Sequence, residues 1–420
     1  TVAETFFARA HDLITQRNMA LAPEQAANLF ADWFEVQQWH AEFGRTIRLF
    51  ESERNRIEAA TESRRYARIL GLVGVAYCQD FQFEKARALF DAAIEIGEQT
   101  SNPDAITDGC LGLMVLNNSR PDRTSWDDTQ RLAARIHETW GDDPQPYYRT
   151  YCDFYQNWSH SIRGDIDFAL ENGFALFEKG KEMNFSGAIG WGAICVAFNE
   201  AYSENFDRAI EYASAGAETG GGLVDRLVCL GLKGLSMVLN GDVEGGAKIL
   251  NDIFSRGEAL DFRGIENIVD GPVGLAKALG GDLSGGVAWI NAAIERALAN
   301  GNAHAAAMSH ISLGTLFLLL ATGDEKPDLK TLARNAIFLL RNAPFAKSKA
   351  VAHFDAALRL GQEAQMYGVV AQAQHGKGMA LRASRKEDQA RTAFQDARKA
   401  VKQIRWAMME SRIDAALEGM

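Results

Sequence analysis

Small and large apolar residues recur along the chain at nearly constant steps. Two alanines flank a phenylalanine at spacings of four and three, which places all three on one face of a helix. The same trio returns 40 residues later. The two trios are Ala350, Phe354, Ala357 and Ala390, Phe394, Ala397. Self-similarity at a fixed step of this length predicts a helical repeat protein.

A Gly-Asp pair precedes the second predicted helix of several repeats, at Gly164-Asp165, Gly241-Asp242 and Gly281-Asp282. Glycine readily adopts the left-handed conformation that ends a helix. The aspartate beside it can accept hydrogen bonds from the free N–H groups of the next helix. The pairs therefore predict antiparallel helical hairpins that repeat every 37 to 40 residues.

Residues 70–93 carry the clearest repeat signature. Its positions are Leu70, Val73, Gly74 and Tyr77 on a first helix, and Ala86, Phe90 and Ala93 on a second. This pattern resembles the tetratricopeptide repeat, although the opening Trp and closing Pro are absent and the period exceeds the usual ~34 residues. The resemblance implies an all-α fold, a tetratricopeptide-like α-solenoid. In such a right-handed superhelix, each hairpin buries one face against its neighbours.

The chain is predicted to form a single repeat domain over residues 1–420, because no segment resembles a flexible linker. Two inserts are expected to interrupt the period: a polar loop with prolines and acidic pairs, and a segment with an extra helix around Leu329–Leu340. The expected divisions are irregular N-terminal helices at 1–60, repeats at 61–321 with the loop insert near 117–146, the second insert at 322–345, and C-terminal repeats at 346–420.

The last repeats have a more specific resemblance. The residues that carry it are the run His353-Phe354-Asp355-Ala356-Ala357-Leu358, then Gly361, the run Ala371-Gln372-Ala373, Gly378 and Ala390-Arg391. This stretch is similar to the C-terminal repeat region of bacterial multidomain signalling proteins, in which a nucleotide cyclase domain and a P-loop ATPase domain precede the repeats. The array of LuxR-type ATPase regulators is similar too. The resemblance implies a regulatory role in the cytoplasm. Since the chain starts at Thr1, we expect a fragment whose catalytic domains lie outside it.

Charge and cysteine content narrow the possible partners. The net charge of −11 and the lack of a basic cluster argue against nucleic-acid binding. The five cysteines are widely spaced in apolar stretches, which suits free thiols in a reducing compartment. The most apolar stretch, Ile311–Ala321, has about half the ~20 residues of a membrane span, so it predicts a buried helix and no membrane contact.

Motifs for chemistry are missing from the sequence. It contains no phosphate-binding loop, no H-E-x-x-H and no G-x-S-x-G. His304 and His310 are six residues apart, so they do not share a helix face as metal ligands would. We therefore predict no catalytic residue, no bound metal and no cofactor, and we disfavour a helical-toroid enzyme.

The best candidate surface is the concave groove that the first helix of each hairpin lines. Taking the register from Gly74, two adjacent hairpins place six aromatic residues on this groove: Tyr151, Phe154, Trp158, Trp191, Phe198 and Tyr202. Such a surface would bind a protein or peptide helix, or an apolar small molecule. The alternative is that the superhelix closes tightly and these rings belong to its core.

The following repeats present mainly apolar groove positions, so we reject a cationic clamp for peptide carboxylates. These positions are Val228, Gly231, Leu235, Ile268, Gly271, Leu275, Met308, Ile311 and Thr315. The predicted function is therefore a non-catalytic interaction or sensing domain, the regulatory part of a bacterial signalling protein such as an adenylate or guanylate cyclase. The alternative is a free-standing tetratricopeptide scaffold that assembles partner proteins.

Overall fold

The computed structural model describes residues 2–17, 19–61, 63–141, 145–323 and 329–420, and within these ranges all regular elements are helices. Two short 3-10 turns, Arg263–Ile265 and Ala343–Phe345, precede α14 and α19. The α-helices are α1 Val2–Gln16, α2 Pro23–Trp39, α3 Phe43–Glu58, α4 Tyr66–Gln79, α5 Phe83–Thr100, α6 Pro103–Ser119, α7 Ser125–Trp140, α8 Pro146–Arg163, α9 Ile166–Glu182, α10 Ser186–Tyr202, α11 Phe206–Thr219, α12 Leu223–Leu239, α13 Val243–Ala259, α14 Glu266–Leu279, α15 Leu283–Ala299, α16 Ala303–Thr322, α17 Leu329–Arg334, α18 Ala336–Asn342, α19 Ala346–Glu363, α20 Tyr367–Ala383, α21 Glu387–Val401 and α22 Ala407–Glu418.

The residues of the predicted repeat signature form the contacts between consecutive helices. Phe90 is fully buried between Gly74 of α4 and Gly112 of α6. A Cβ added at Gly74 would lie 2.4 Å from the Phe90 ring, so only glycine allows this approach. Phe354 and Phe394 of the two C-terminal trios are buried in the same way. The prediction of an all-α tetratricopeptide-like solenoid is confirmed.

The glycines of the Gly-Asp pairs have the predicted left-handed conformation, with φ between +88° and +97°. Asp242 and Asp282 also cap the following helices, each accepting from a glycine N–H at 3.0 Å. For Asp165 the capping prediction is wrong. Its carboxylate instead accepts from the N–H of Arg405, which lies 240 residues further along the chain.

The region near 117–146 differs from the predicted loop insert. It contains helix α7, and the described connection from α6 is only residues 120–124. The periodic residues Thr129, Ala133 and Ile136 are buried and hold α7 on the solenoid. The segments on either side of α7 are polar and contain prolines, which favours the prediction of a loop over that of a helix. Asp127-Asp128 lies in the first turn of α7, where carboxylates are favoured by the helix dipole, and Asp142-Asp143 lies outside the described residues.

The second predicted insert, 322–345, contains the two short helices α17 and α18 where one extra helix was expected. Residues 324–328 lie outside the described part of the chain. Asn335, between the two helices, is buried and donates to the Gly281 carbonyl at 2.8 Å. The segment is thereby attached to the turn between α14 and α15.

The superhelix curves so strongly that distant hairpins meet at two seams. At the N-terminal seam, Phe43 packs on Phe262 with ring centroids 5.1 Å apart, and Ala76 and Ile265 are buried in the same cluster. At the C-terminal seam, Asp165 and Asp167 of the α8–α9 corner accept from the N–H groups of Arg405 and Ala407.

Two further contacts close the C-terminal seam. A Cβ on Gly164 would lie 2.3 Å from the Gly368 backbone, so the two chain segments touch directly. Trp406 and Ile166 are buried in one cluster beside them. Contacts at both seams hold the solenoid in a strongly curved form around its inner surface.

Candidate binding cavity

One continuous cavity of about 780 Å³ lies on the inner surface of the solenoid. The even-numbered helices from α2 to α16 line most of it, together with α20, α22 and a few residues of α3, α11, α15 and α19. These even-numbered helices are the first helices of the hairpins, and the cavity lies on the face to which the register taken from Gly74 assigns the groove. Volumes of ~300–1,000 Å³ are typical of ligand sites.

All six aromatic residues predicted for the groove line this cavity: Tyr151, Phe154, Trp158, Trp191, Phe198 and Tyr202. They form one continuous stack across α8 and α10. The ring centroids of Tyr151 and Trp191 are 4.7 Å apart, and those of Trp158 and Phe198 are also 4.7 Å apart. The structure therefore brings the two predicted sets together at one wall, which we call the aromatic wall.

The aromatic wall combines features of a groove and of a core. Trp191 is only 3% exposed because Tyr151, Phe154 and Phe185 cover it. Tyr151, Trp158 and Tyr202 are half-buried and keep surface toward the cavity. Of the flanking tyrosines, Tyr147 and Tyr155 line the cavity too, whereas Tyr148 packs away from it against Trp140.

Eight of the nine apolar positions predicted for the following repeats also line the cavity: Val228, Leu235, Ile268, Gly271, Leu275, Met308, Ile311 and Thr315. The exception is Gly231, where a Cβ would lie 3.0 Å from Ile268, so this glycine serves close packing of α12 on α14. The opposite side of the cavity is therefore less aromatic and more aliphatic than the aromatic wall.

Helix α16 illustrates this division between faces. Among the described residues it is the one helix long and apolar enough to cross a membrane, by length and composition alone. Leu313 and Phe317 on one side are buried against α15 and α19. Met308, Ile311 and Thr315 border the cavity. The helix is longer than the stretch Ile311–Ala321 from which the sequence predicted it.

Charged side chains, none of which is among the predicted groove positions, also line the cavity. In the described part of the chain there are eight: Glu35, Arg68, Glu204, Asp225, Glu266, Asp270, Arg296 and Arg412. Most form ion pairs. Arg68 contacts Asp108 at 2.7 Å and Glu35 at 3.3 Å, and Arg296 contacts Asp270 at 2.7 Å. Arg68 and Asp225 each lie one helical turn before the groove-facing residues of α4 and α12. Extending the groove positions by one turn toward the start of each helix would therefore have included both.

Asp225 has a different environment from the ion-paired carboxylates. Its Oδ2 accepts from the Gly222 N–H at 3.2 Å, and the Trp191 side chain donates to the carboxylate as well. Burial raises the pKa of Asp225 to about 6, while these hydrogen bonds and the neighbouring Arg226 oppose the rise. A carboxylate thus lies against the aromatic wall, with its charge disfavoured by the surroundings.

Hydroxyl and imidazole groups on the wall are held in neutral forms. The Tyr151 and Tyr155 hydroxyls are 3.1 Å apart, and burial raises the pKa of both. Tyr202 Oη lies 3.1 Å from Nε2 of His304, whose pKa is lowered by burial to about 4. At neutral pH these groups offer hydrogen bonds without positive charge.

The described residues contain no group of three or more His, Cys, Asp or Glu side chains placed to hold a metal ion. His304 and His310 do not come together, since His304 contacts Tyr202 and His310 contacts His353. All five cysteines are free and buried. Burial raises the pKa of Cys110 to about 11 and that of Cys195 to about 12, which disfavours the reactive thiolate.

No family model and no curated protein sequence matches the chain. Several solved structures align with most of the chain at low identity. A Rap protein complexed with Competence and Sporulation Factor is 11% identical, with 85% of this chain and 97% of that chain covered and a TM-score of 0.48. The APC/C hetero-tetramer Cut9–Hcn1 is 10% identical, with 99% and 96% covered and a TM-score of 0.25. A circular tandem repeat protein is 15% identical, with 95% and 96% covered and a TM-score of 0.14. At these values the similarities say nothing about function.

Proposed function

We propose that the chain is a non-catalytic binding domain that takes up an apolar molecule or a short protein segment in its inner cavity. The observation that carries this proposal is the aromatic wall, to which two adjacent hairpins contribute six rings around one space. Clustered aromatic side chains supply much of the binding energy in protein recognition sites. A solenoid that needed these rings only for its core would gain nothing from a cavity of about 780 Å³ beside them.

The setting we propose is the cytoplasmic, regulatory C-terminal part of a bacterial signalling protein, in which ligand uptake changes the curvature of the superhelix. The resemblance of residues 346–417 to the repeats of such proteins supports this setting. Deleting residues 1–420 from the parent protein should then alter its regulation and leave basal catalysis measurable. Stable partner proteins without any cyclase or ATPase domain in the parent would instead indicate a scaffold.

Nile red, a neutral apolar dye, is the probe for the cavity itself. Thr315 is exposed in the structure and borders the cavity, so Thr315→Trp places a large ring in the open space without displacing core atoms. We expect wild-type protein to enhance the dye's fluorescence and Thr315→Trp to weaken binding about tenfold. Thr392→Trp, at an exposed position of α21 away from the cavity, is the matched control and should bind as the wild type does.

Two results would contradict the proposal. In one, the dye fails to bind the folded wild-type protein. In the other, Thr315→Trp and Thr392→Trp bind the dye equally well, which would place the dye on an outer surface.

A further inference from the structure

The charges on the cavity wall do not balance. Among the described residues, five carboxylates and three guanidinium groups line the cavity. Arg68, Arg296 and Arg412 each form an ion pair with one of these carboxylates. His304 and His375 add no positive charge at neutral pH, because burial lowers the pKa of each to about 4. Two carboxylates, Asp225 and Glu266, have no ion pair with the lining arginines.

These two carboxylates differ in their surroundings. Burial raises the pKa of Glu266 as well, but two nearby arginines, Arg263 and Arg296, oppose that rise. For Asp225 the neighbouring cation is Arg226, the next residue of α12, which does not line the cavity. Asp225 itself does line the cavity, together with Tyr151, Tyr155 and Trp191.

The rings beside Asp225 suit a cation with an apolar stem. The Trp191 side chain donates to Asp225, and the charge of Asp225 acts on the Tyr151 and Tyr155 hydroxyls. Tyr151 contacts both other rings, with centroid distances of 4.8 Å to Tyr155 and 4.7 Å to Trp191, so the three rings form one cluster that lines the cavity with Asp225. Aromatic faces attract ammonium and guanidinium groups, more strongly where water is displaced.

The size of the cavity limits the occupant. A helix is ~10–12 Å wide with its side chains and rises ~1.5 Å per residue. The cavity measures about 780 Å³, within the ~300–1,000 Å³ of ligand sites, so a short segment suits it better than a long helix of that width. The net charge of −11 favours encounter with a basic partner.

We propose that Asp225 binds the Lys or Arg side chain of a short, otherwise apolar peptide segment of a partner protein. The rings of Tyr151, Tyr155 and Trp191 enclose the apolar stem of that side chain. This inference rests on the proposed function and specifies the partner's chemistry.

Two pools of acetylated and amidated hexapeptides test this assignment. They carry Lys or norleucine at the third position and Leu, Phe, Tyr or Gly elsewhere, and they compete with Nile red. We expect the Lys pool to displace the dye from wild-type protein at about tenfold lower concentration than the norleucine pool. Asp225→Asn should abolish this difference and Asp225→Glu should retain it. Asp388→Asn, in the first turn of α21 outside the cavity, should leave it intact.

The outcomes separate this inference from the proposed function. Equal displacement by the two pools, with dye binding intact, overturns the basic-group assignment and leaves the binding function standing. Absence of dye binding contradicts the proposed function itself. If 4-phenylbutylamine matches the Lys pool with the same dependence on Asp225, the peptide assignment is wrong. The comparison of the two pools on wild-type protein needs no variant, so it stands even where a variant fails to fold.

Discussion

The two seams that close the superhelix are built from different interactions. The N-terminal seam depends on buried rings, with Phe43 against Phe262 and an exposed ion pair between Arg48 and Asp261 at its edge. The C-terminal seam adds directional polar contacts, in which aspartates accept from backbone N–H groups at 2.8 and 2.9 Å. Because buried rings hold most of the N-terminal seam, we expect salt and pH to affect it less than they affect the C-terminal seam. The C-terminal seam lies beside the aromatic wall, because Trp406 contacts Tyr202.

The largest effect is expected from Phe262→Ala at the N-terminal seam. Phe262 is 2% exposed, and removing a buried ring leaves a cavity that costs about 3–5 kcal/mol of unfolding free energy. Urea denaturation followed by circular dichroism measures this loss. Phe345→Ala is the matched control, since Phe345 is 59% exposed and its loss should cost less than ~0.5 kcal/mol. Equal losses for the two variants would show that the seam is not packed.

A smaller loss is expected from Asp165→Ala at the C-terminal seam. Although burial disfavours the charged carboxylate, hydrogen bonds from His160 and the Arg405 N–H hold the pKa of Asp165 below its ordinary value. Removing these bonds should cost about 2 kcal/mol. Hydrogen exchange of the Arg405 amide should accelerate. Asp242→Ala, which removes only a helix cap, should cost about 1 kcal/mol and leave that amide protected.

Acid should weaken the C-terminal seam through His375, which borders the cavity near Arg412. Burial, followed by the charges of Arg412 and Arg382, lowers the pKa of His375 to about 4, against about 6.5 in the unfolded chain. The unfolded chain therefore takes up the proton first. The contribution of neutral His375 to the free energy of unfolding has its full value above pH 6.5. It decreases as the pH falls toward 4.

At pH 5.5 this decline amounts to about 1 kcal/mol for a single histidine. Urea midpoints at pH 7.5 and 5.5 should differ more for the wild type than for His375→Gln. His137→Gln, at an exposed position of α7, should behave as the wild type does. The interpretation fails if His375→Gln retains the full pH dependence.

The smallest effect is expected from salt. Arg412 of α22 pairs with Glu204 across the C-terminal seam, and both side chains are more than 40% exposed. Exposed pairs contribute less than about 1 kcal/mol, and ~1 M salt screens charges beyond ~3 Å. Raising NaCl to about 1 M should accelerate exchange of the α22 amides more than that of the Phe262 amide, because buried rings remain at the N-terminal seam when its exposed Arg48–Asp261 pair is screened. Equal acceleration at both seams would contradict the comparison.

The sequence predicted the features that depend on neighbouring helices. Local spacing predicts that Phe90 packs against Gly74. It also predicts that the alanines around Phe354 and Phe394 share a buried face with these rings, and the packing confirms both predictions. The six groove aromatics could be placed on one face because a single helix register fixes their direction, and all six line the cavity. Their role in binding stays a prediction.

The seams could not be predicted, because they depend on the curvature accumulated over several hairpins. Asp165 was interpreted as a helix cap, since nothing within ten residues indicates a partner 240 residues away. Asp225 was overlooked because it follows the glycine-rich stretch 216–222, which indicates a turn. The division of the chain into repeats and inserts, apart from the helix at 125–140, also stays a prediction.

The central claim is that the aromatic wall is a binding surface. Fluorine NMR of protein labelled with 5-fluorotryptophan tests it most directly, with each resonance assigned by Trp→Phe substitution. On addition of Nile red, the account predicts shifts for Trp158 and Trp191, which line the cavity, and none for Trp126 and Trp289, which do not. Shifts confined to Trp126 or Trp289 while the dye is bound would contradict the account.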